Sequence, residues 1–71
     1  MNILIFKTNI RLKKDLQIIR AILSGLKSVI RWNVDRHDTD KILRIESTSN
    51  DSNQIIKTLS QAGYHCEELQ D

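Results

Sequence analysis

From residue 2 the chain alternates, with Leu4, Phe6, Thr8 and Ile10 on one parity and Ile3, Ile5 and Lys7 on the other. A period of two is that of a strand, here over 2–10. At Leu12 the period changes: Leu12, Leu16, Ile19, Leu23 and Leu26 follow at spacings of four, three, four and three, widened by Ile22. This predicts an amphipathic helix to about Leu26, with Arg11, Lys13, Lys14 and Arg20 outside its apolar stripe and Gly25 placed for a left-handed C-terminal cap. Residues 28–36 alternate again with Ile30, Trp32 and Val34 inward, and His37-Asp38-Thr39-Asp40 reads as a polar turn. Ile42 to Ser47 then forms a second arm with Leu43 and Ile45 in phase, completing a hairpin. Asp51 opens a second helix, with Gln54 at capping-box spacing, Ile55, Ile56, Leu59 and Ala62 as its buried stripe and Gly63 at its end. Tyr64 to Leu69 predicts a last short strand.

The order strand, helix, strand, strand, helix, strand predicts an α+β fold, a ferredoxin-like βαββαβ sandwich whose four-stranded antiparallel sheet carries two helices on one face. Its core would be Leu4, Phe6, Ile10, Leu16, Ile19, Leu23, Ile30, Trp32, Val34, Leu43, Ile45, Ile55, Leu59 and Cys66. The open face of the sheet would show Ile3, Ile5, Val29 and Ile42 beside Lys7, Arg31 and Arg44. At 71 residues the chain forms a single domain, 1–71. A chain this short buries only about 60% of its unfolded surface, so nearly every apolar residue at core spacing is needed there.

Composition narrows the chemistry. One cysteine cannot form an internal disulfide, and the short apolar run after Met1 does not make a signal peptide, so the cytoplasm is the expected compartment and no membrane partner is expected. Net charge is +2, but it is unevenly spread. Residues 1–36 hold eight Lys or Arg against two Asp, a balance of +6, and residues 37–71 hold three against seven acidic residues, a balance of −4. A basic face for an acidic partner is one consequence. Nucleic acid fits less well, because Phe6, Trp32 and Tyr64 are the only aromatics and no Arg/Lys run occurs.

Phe-Lys-Thr-Asn-Ile at 6–10, Trp-Asn-Val-Asp at 32–35, Lys-Ile-Leu-Arg-Ile-Glu-Ser at 41–47 and Ile-Ile-Lys-Thr-Leu-Ser-Gln-Ala-Gly-Tyr at 55–64 together resemble the heavy-metal-associated (HMA) domain. This is the family of copper chaperones, mercury-binding proteins and metal-ATPase N-terminal modules. The resemblance implies the ferredoxin-like fold and a Cys-x-x-Cys pair at the first strand-to-helix turn, whose thiolates clasp a soft ion. Ile10 fits the hydrophobic position of that motif, but Leu12 and Asp15 stand where the cysteines would be. A leucine ligates nothing and a lone carboxylate does not suit Cu(I), so the usual metal site, and with it any cofactor, is not expected.

What the resemblance leaves is a docking end: Arg11, Lys13, Lys14 and Tyr64 are the candidate partner-docking residues. Asp15 is read as a first-turn residue favoured by the helix dipole, and Tyr64 as packing over Ile10 and Leu12. No nucleophile–base pair, paired carboxylate or glycine-rich phosphate loop occurs, so an enzyme is not expected. The expected function is that of a degenerate HMA-like domain, a protein-interaction or regulatory module with a protein partner or a second copy as a homodimer. The alternative is metal binding or transport through Cys66 or a site shared between subunits. Further readings are an ACT-type sensor, for which the glycine-rich turn is missing, and anion binding at the Arg11–Lys14 helix start.

Overall fold

The computed structural model describes Asn2 to Leu69; Met1, Gln70 and Asp71 of the expected 1–71 domain lie outside the described residues. The elements run β1 (Asn2–Thr8), α1 (Lys13–Ser24), β2 (Val29–Asp35), β3 (Ile42–Ser47), α2 (Ser52–Gln61) and β4 (Cys66–Leu69). The fold is α+β: the strands form one four-stranded sheet in the order β2-β3-β1-β4, with every pairing antiparallel. Leu4, Phe6, Leu43 and Ile45 of the sheet, Ile19 and Leu23 of α1, and Ile55 and Leu59 of α2 share one buried cluster with Ile10 and Cys66. Both helices therefore bury their apolar stripes against the same side of the sheet. No helix among the described residues is long and apolar enough to cross a membrane.

Elements begin and end where local chemistry changes. β1 stops at Thr8, two residues short of its expected end, because the Thr8 hydroxyl accepts the Ile10 N–H at 3.2 Å and turns the chain out of the sheet. Ile10 is still fully buried, as a turn residue and not a strand residue. Helix α1 starts at Lys13, with Leu12 as its extended N-cap. Gly25 ends α1 with φ −82°, in the right-handed region, so the expected left-handed cap is absent there. Gly63 does adopt φ +93°, a conformation that favours glycine, as the chain leaves α2.

Several expectations about packing and capping are corrected. Val29 faces Ser47 and Arg31 faces Glu46, so Ile30 is an extra residue in a β-bulge. The bulge reverses the parity of the strand's start: Val29 packs against the core and Ile30 is 47% exposed, the opposite of the alternating reading. Trp32 and Val34 face the core but are half-buried, as suits an edge strand. Leu16 is half-buried too and packs at the margin of the core. Ala62, just past the end of α2, is exposed, and Ser52 at its start is buried. The Asp51–Gln54 capping box does not form; the Asp51 carboxylate instead accepts the hydroxyls of Ser28 (2.6 Å) and Ser47 (3.3 Å).

Candidate functional site

The residues singled out in the sequence converge at the end of the molecule where β1 passes into α1 and α2 passes into β4. The Asp15 side chain fixes the turn. Its Oδ2 accepts the backbone N–H groups of Leu12 at 3.0 Å and Arg11 at 3.3 Å, donors that a helix start leaves without partners. Its Oδ1 accepts the Tyr64 hydroxyl at 2.9 Å, across 49 residues of chain. The Leu12 N–H first, and then the Tyr64 hydroxyl, hold the Asp15 carboxyl below the ordinary carboxylate value. Tyr64 is shifted the other way: burial, and then its bond to the Asp15 carboxylate, raise the phenol above its ordinary value.

Two further bonds close the same end. The His65 N–H donates to the Asn9 side-chain oxygen at 3.0 Å, holding the α2–β4 connection to the β1–α1 turn. The Arg36 guanidinium reaches the Arg11 carbonyl from the end of β2 at 3.5 Å. On this framework Arg11, Leu12, Lys13 and Lys14 are all exposed, Leu12 at 45%. The expected packing of Tyr64 over Leu12 is thus corrected: Tyr64 packs on the core and spends its hydroxyl on Asp15, while Leu12 faces outward.

The structure therefore brings Arg11, Lys13, Lys14 and Tyr64 to one end but gives them different roles. Three are exposed cationic side chains, and Tyr64 is a brace beneath them. Asn9, Asp15 and Arg36 complete the set that shapes the turn. The sequence carried a signal for Asp15 as a first-turn acid, but none for its bond to Tyr64, because nothing local marks a contact 49 residues apart.

The chemistry of this end follows from its donors. Leu12 has no ligating atom, and both Asp15 oxygens already accept hydrogen bonds. Cys66 lies in β4 opposite Thr8, 9% exposed, and burial pushes its thiol up to about 11, so the nucleophilic and metal-binding thiolate is scarce at neutral pH. Among the described residues no group of three or more His, Cys, Asp or Glu side chains is gathered as metal ligands. What the turn presents is a fixed backbone with an exposed leucine between three cations. No family model matches the chain, and no curated protein matches it.

Proposed function

We propose that this chain is a protein-interaction module of ferredoxin-like, HMA-like architecture in which the metal-clasping turn has become a rigid docking turn. The element order β1-α1-β2-β3-α2-β4 and the strand order β2-β3-β1-β4 support the architecture. The observation that carries the function is exposed Leu12 set between Arg11, Lys13 and Lys14 on a turn immobilised by Asp15. Lys13 and Lys14 sit in the first turn of α1, at the positive end of its dipole, where a cation is disfavoured by about 0.3–1 kcal/mol. Their placement opposes helix stability, which is what a surface kept for a partner would show. An acidic protein surface with an apolar contact for Leu12 fits this end; no covalent chemistry is required of it.

Two measurements test the reading. Native mass spectrometry of the reduced chain with one equivalent of Cu(I) or Zn(II) should give no stoichiometric adduct, and a one-metal adduct lost in Cys66→Ser would replace the reading with metal handling. Affinity capture with the full chain and with Lys13→Glu/Lys14→Glu should then show a partner bound by the first and lost from the second. Equal capture by both would move docking away from this end.

A further inference from the structure

The sheet has two open edges: β2, which carries Arg31 and Asp35 on its open face and has Arg20 of α1 beside it, and β4, which carries Glu67 and Glu68. At one edge β2 pairs only with β3, and its outer side runs beside α1, forming an open cleft of about 450 Å³ lined by Leu16, Arg20, Ile30, Trp32 and Val34 among others. Arg20 stands on the helix side of this edge. Arg31 stands on the open face, because it pairs with Glu46, a neighbour of core-facing Ile45. Arg31 holds Glu46 at 2.7 Å through Nε while its side chain stays largely exposed; Arg20 is in no ion pair among the described residues. At the far edge β4 pairs only with β1 and exposes Glu67, Glu68 and Leu69. Register places Glu67 on the open face, opposite Lys7, and Glu68 on the helix side, opposite Phe6; neither is in an ion pair among the described residues.

We propose that the β2 edge takes the β4 edge of a second copy, extending the sheet head to tail. The match is in direction, face, length and charge. β2 runs parallel to β1, since β3 lies antiparallel to both, and β4 runs antiparallel to β1. A copy added in the sheet plane in the same orientation therefore brings β4 antiparallel to β2, the only pairing sense this sheet uses. Alternation then sends Glu67 to the face of Arg31 and Glu68 to the face of Arg20. The bulge at Ile30 leaves a regular edge from Arg31 to Asp35, long enough for the four residues of β4. Main-chain pairing supplies affinity, and the half-buried floor of the cleft, with exposed Ile30 beside it, receives the side chains of the added strand. A two-fold pairing of β2 with β2 centred on Asn33 would set Arg31 against Asp35 of the second copy on the open face, and it is the competing arrangement, one that would not involve Glu67 or Glu68. The contact is heterologous, so each copy keeps one edge free and assembly continues beyond a dimer unless it closes into a ring.

This interface lies apart from the Leu12 turn and does not rest on the docking role of that turn. Sedimentation velocity of the full chain at low salt should show mass that rises with concentration past the dimer and falls as salt is added. Arg20→Glu/Arg31→Glu destroys the accepting edge and Glu67→Lys/Glu68→Lys the donating edge, so each variant alone should associate at least about tenfold more weakly. Mixed in equal amounts, the two should regain association by strict alternation, because the unaltered β4 of the first fits the unaltered β2 of the second and the two charge-reversed edges fit each other. All four positions are exposed, and unchanged circular dichroism would show that the variants fold. A wild type that stays monomeric at millimolar concentration, a two-fold dimer insensitive to Glu67→Lys/Glu68→Lys, or a mixture that associates no more strongly than either variant alone would each overturn the proposal.

Discussion

Each helix of this molecule begins beside an aspartate, Asp15 as the third residue of α1 and Asp51 as the N-cap of α2, and each serves the corresponding strand-to-helix turn of its half. Asp15 at the start of α1 reaches Tyr64 in the connection leaving α2; Asp51 at the start of α2 reaches Ser28 in the connection leaving α1. Each carboxylate ties one strand-to-helix turn to the opposite helix-to-strand turn, at opposite ends of the sheet. They differ in what else they bind. Asp15 also accepts two backbone N–H groups of its own turn, whereas Asp51 makes no capping bond to its helix through its side chain and binds a second hydroxyl, that of fully buried Ser47. The first brace stands at an exposed surface and shapes it. The second closes the end of the core.

Protonating both at once is the strongest perturbation. Each folded carboxyl lies below its ordinary value of 3.8, Asp15 through the Leu12 N–H above all and Asp51 through the Ser28 hydroxyl above all. A group with a depressed folded pKa contributes stability that is present above the unfolded pKa and lost as pH falls through the folded one. The midpoint of urea unfolding should therefore be flat, as far as these groups act, from neutral pH to about pH 5 and fall steeply below about pH 4. Asp51→Ala and Asp15→Ala should each make that acid limb shallower, and an unchanged limb in both variants would assign it to other carboxylates.

Next in size is Asp51→Ala at neutral pH. It removes the acceptor for two hydroxyls, one of them fully buried, and should lower stability by about 2 kcal/mol, the range for hydrogen bonds to a charged group. Asp15→Ala should lose less, about 1 kcal/mol, because the Arg11 and Leu12 N–H groups it abandons are at an exposed turn and can turn to water. Urea titration of both variants checks the order. Equal losses would mean that burial of the partner groups does not separate the two braces.

The contrast also marks what was legible in the sequence. Both helices, the hairpin and most of the core follow from apolar spacing, because Phe6, Ile19, Leu23, Leu43, Ile45, Ile55 and Leu59 are at positions that one periodicity fixes. The bulge at Ile30 was not legible: an extra residue leaves the alternation intact in sequence and changes only which parity faces inward. At the turn, Asp15 was visible as a first-turn acid, but its partner was not. At the other end the Asp51–Gln54 spacing predicted a local capping box, yet the Ser28 and Ser47 hydroxyls, 23 and four residues away, took the carboxylate. Local rules name the donor or acceptor; tertiary structure chooses its mate.

The smallest expected effect is the most specific to the docking turn. Tyr64→Phe removes one hydroxyl that donates to Asp15 and should lower stability by about 0.5–1 kcal/mol, with the ring still packed on the core. Asp15→Asn lengthens or loses the same bond from the other side, so the double variant should lose less than the sum of the two single losses if the bond couples them. Tyr64 is the only tyrosine in the chain, so phenolate absorbance reports on it alone. Its folded pKa lies above 10.0 because burial and then the Asp15 bond favour the neutral phenol, so its contribution to stability is present below pH 10.0 and is lost as pH rises through the folded value. In Asp15→Asn the phenol should titrate at lower pH than in the wild type while remaining above 10.0, since burial is the larger cause and is unchanged. A titration that does not move would show that Asp15 and Tyr64 are neighbours without being a brace, and the rigidity of the Leu12 turn would then rest on Asp15 and its backbone bonds alone.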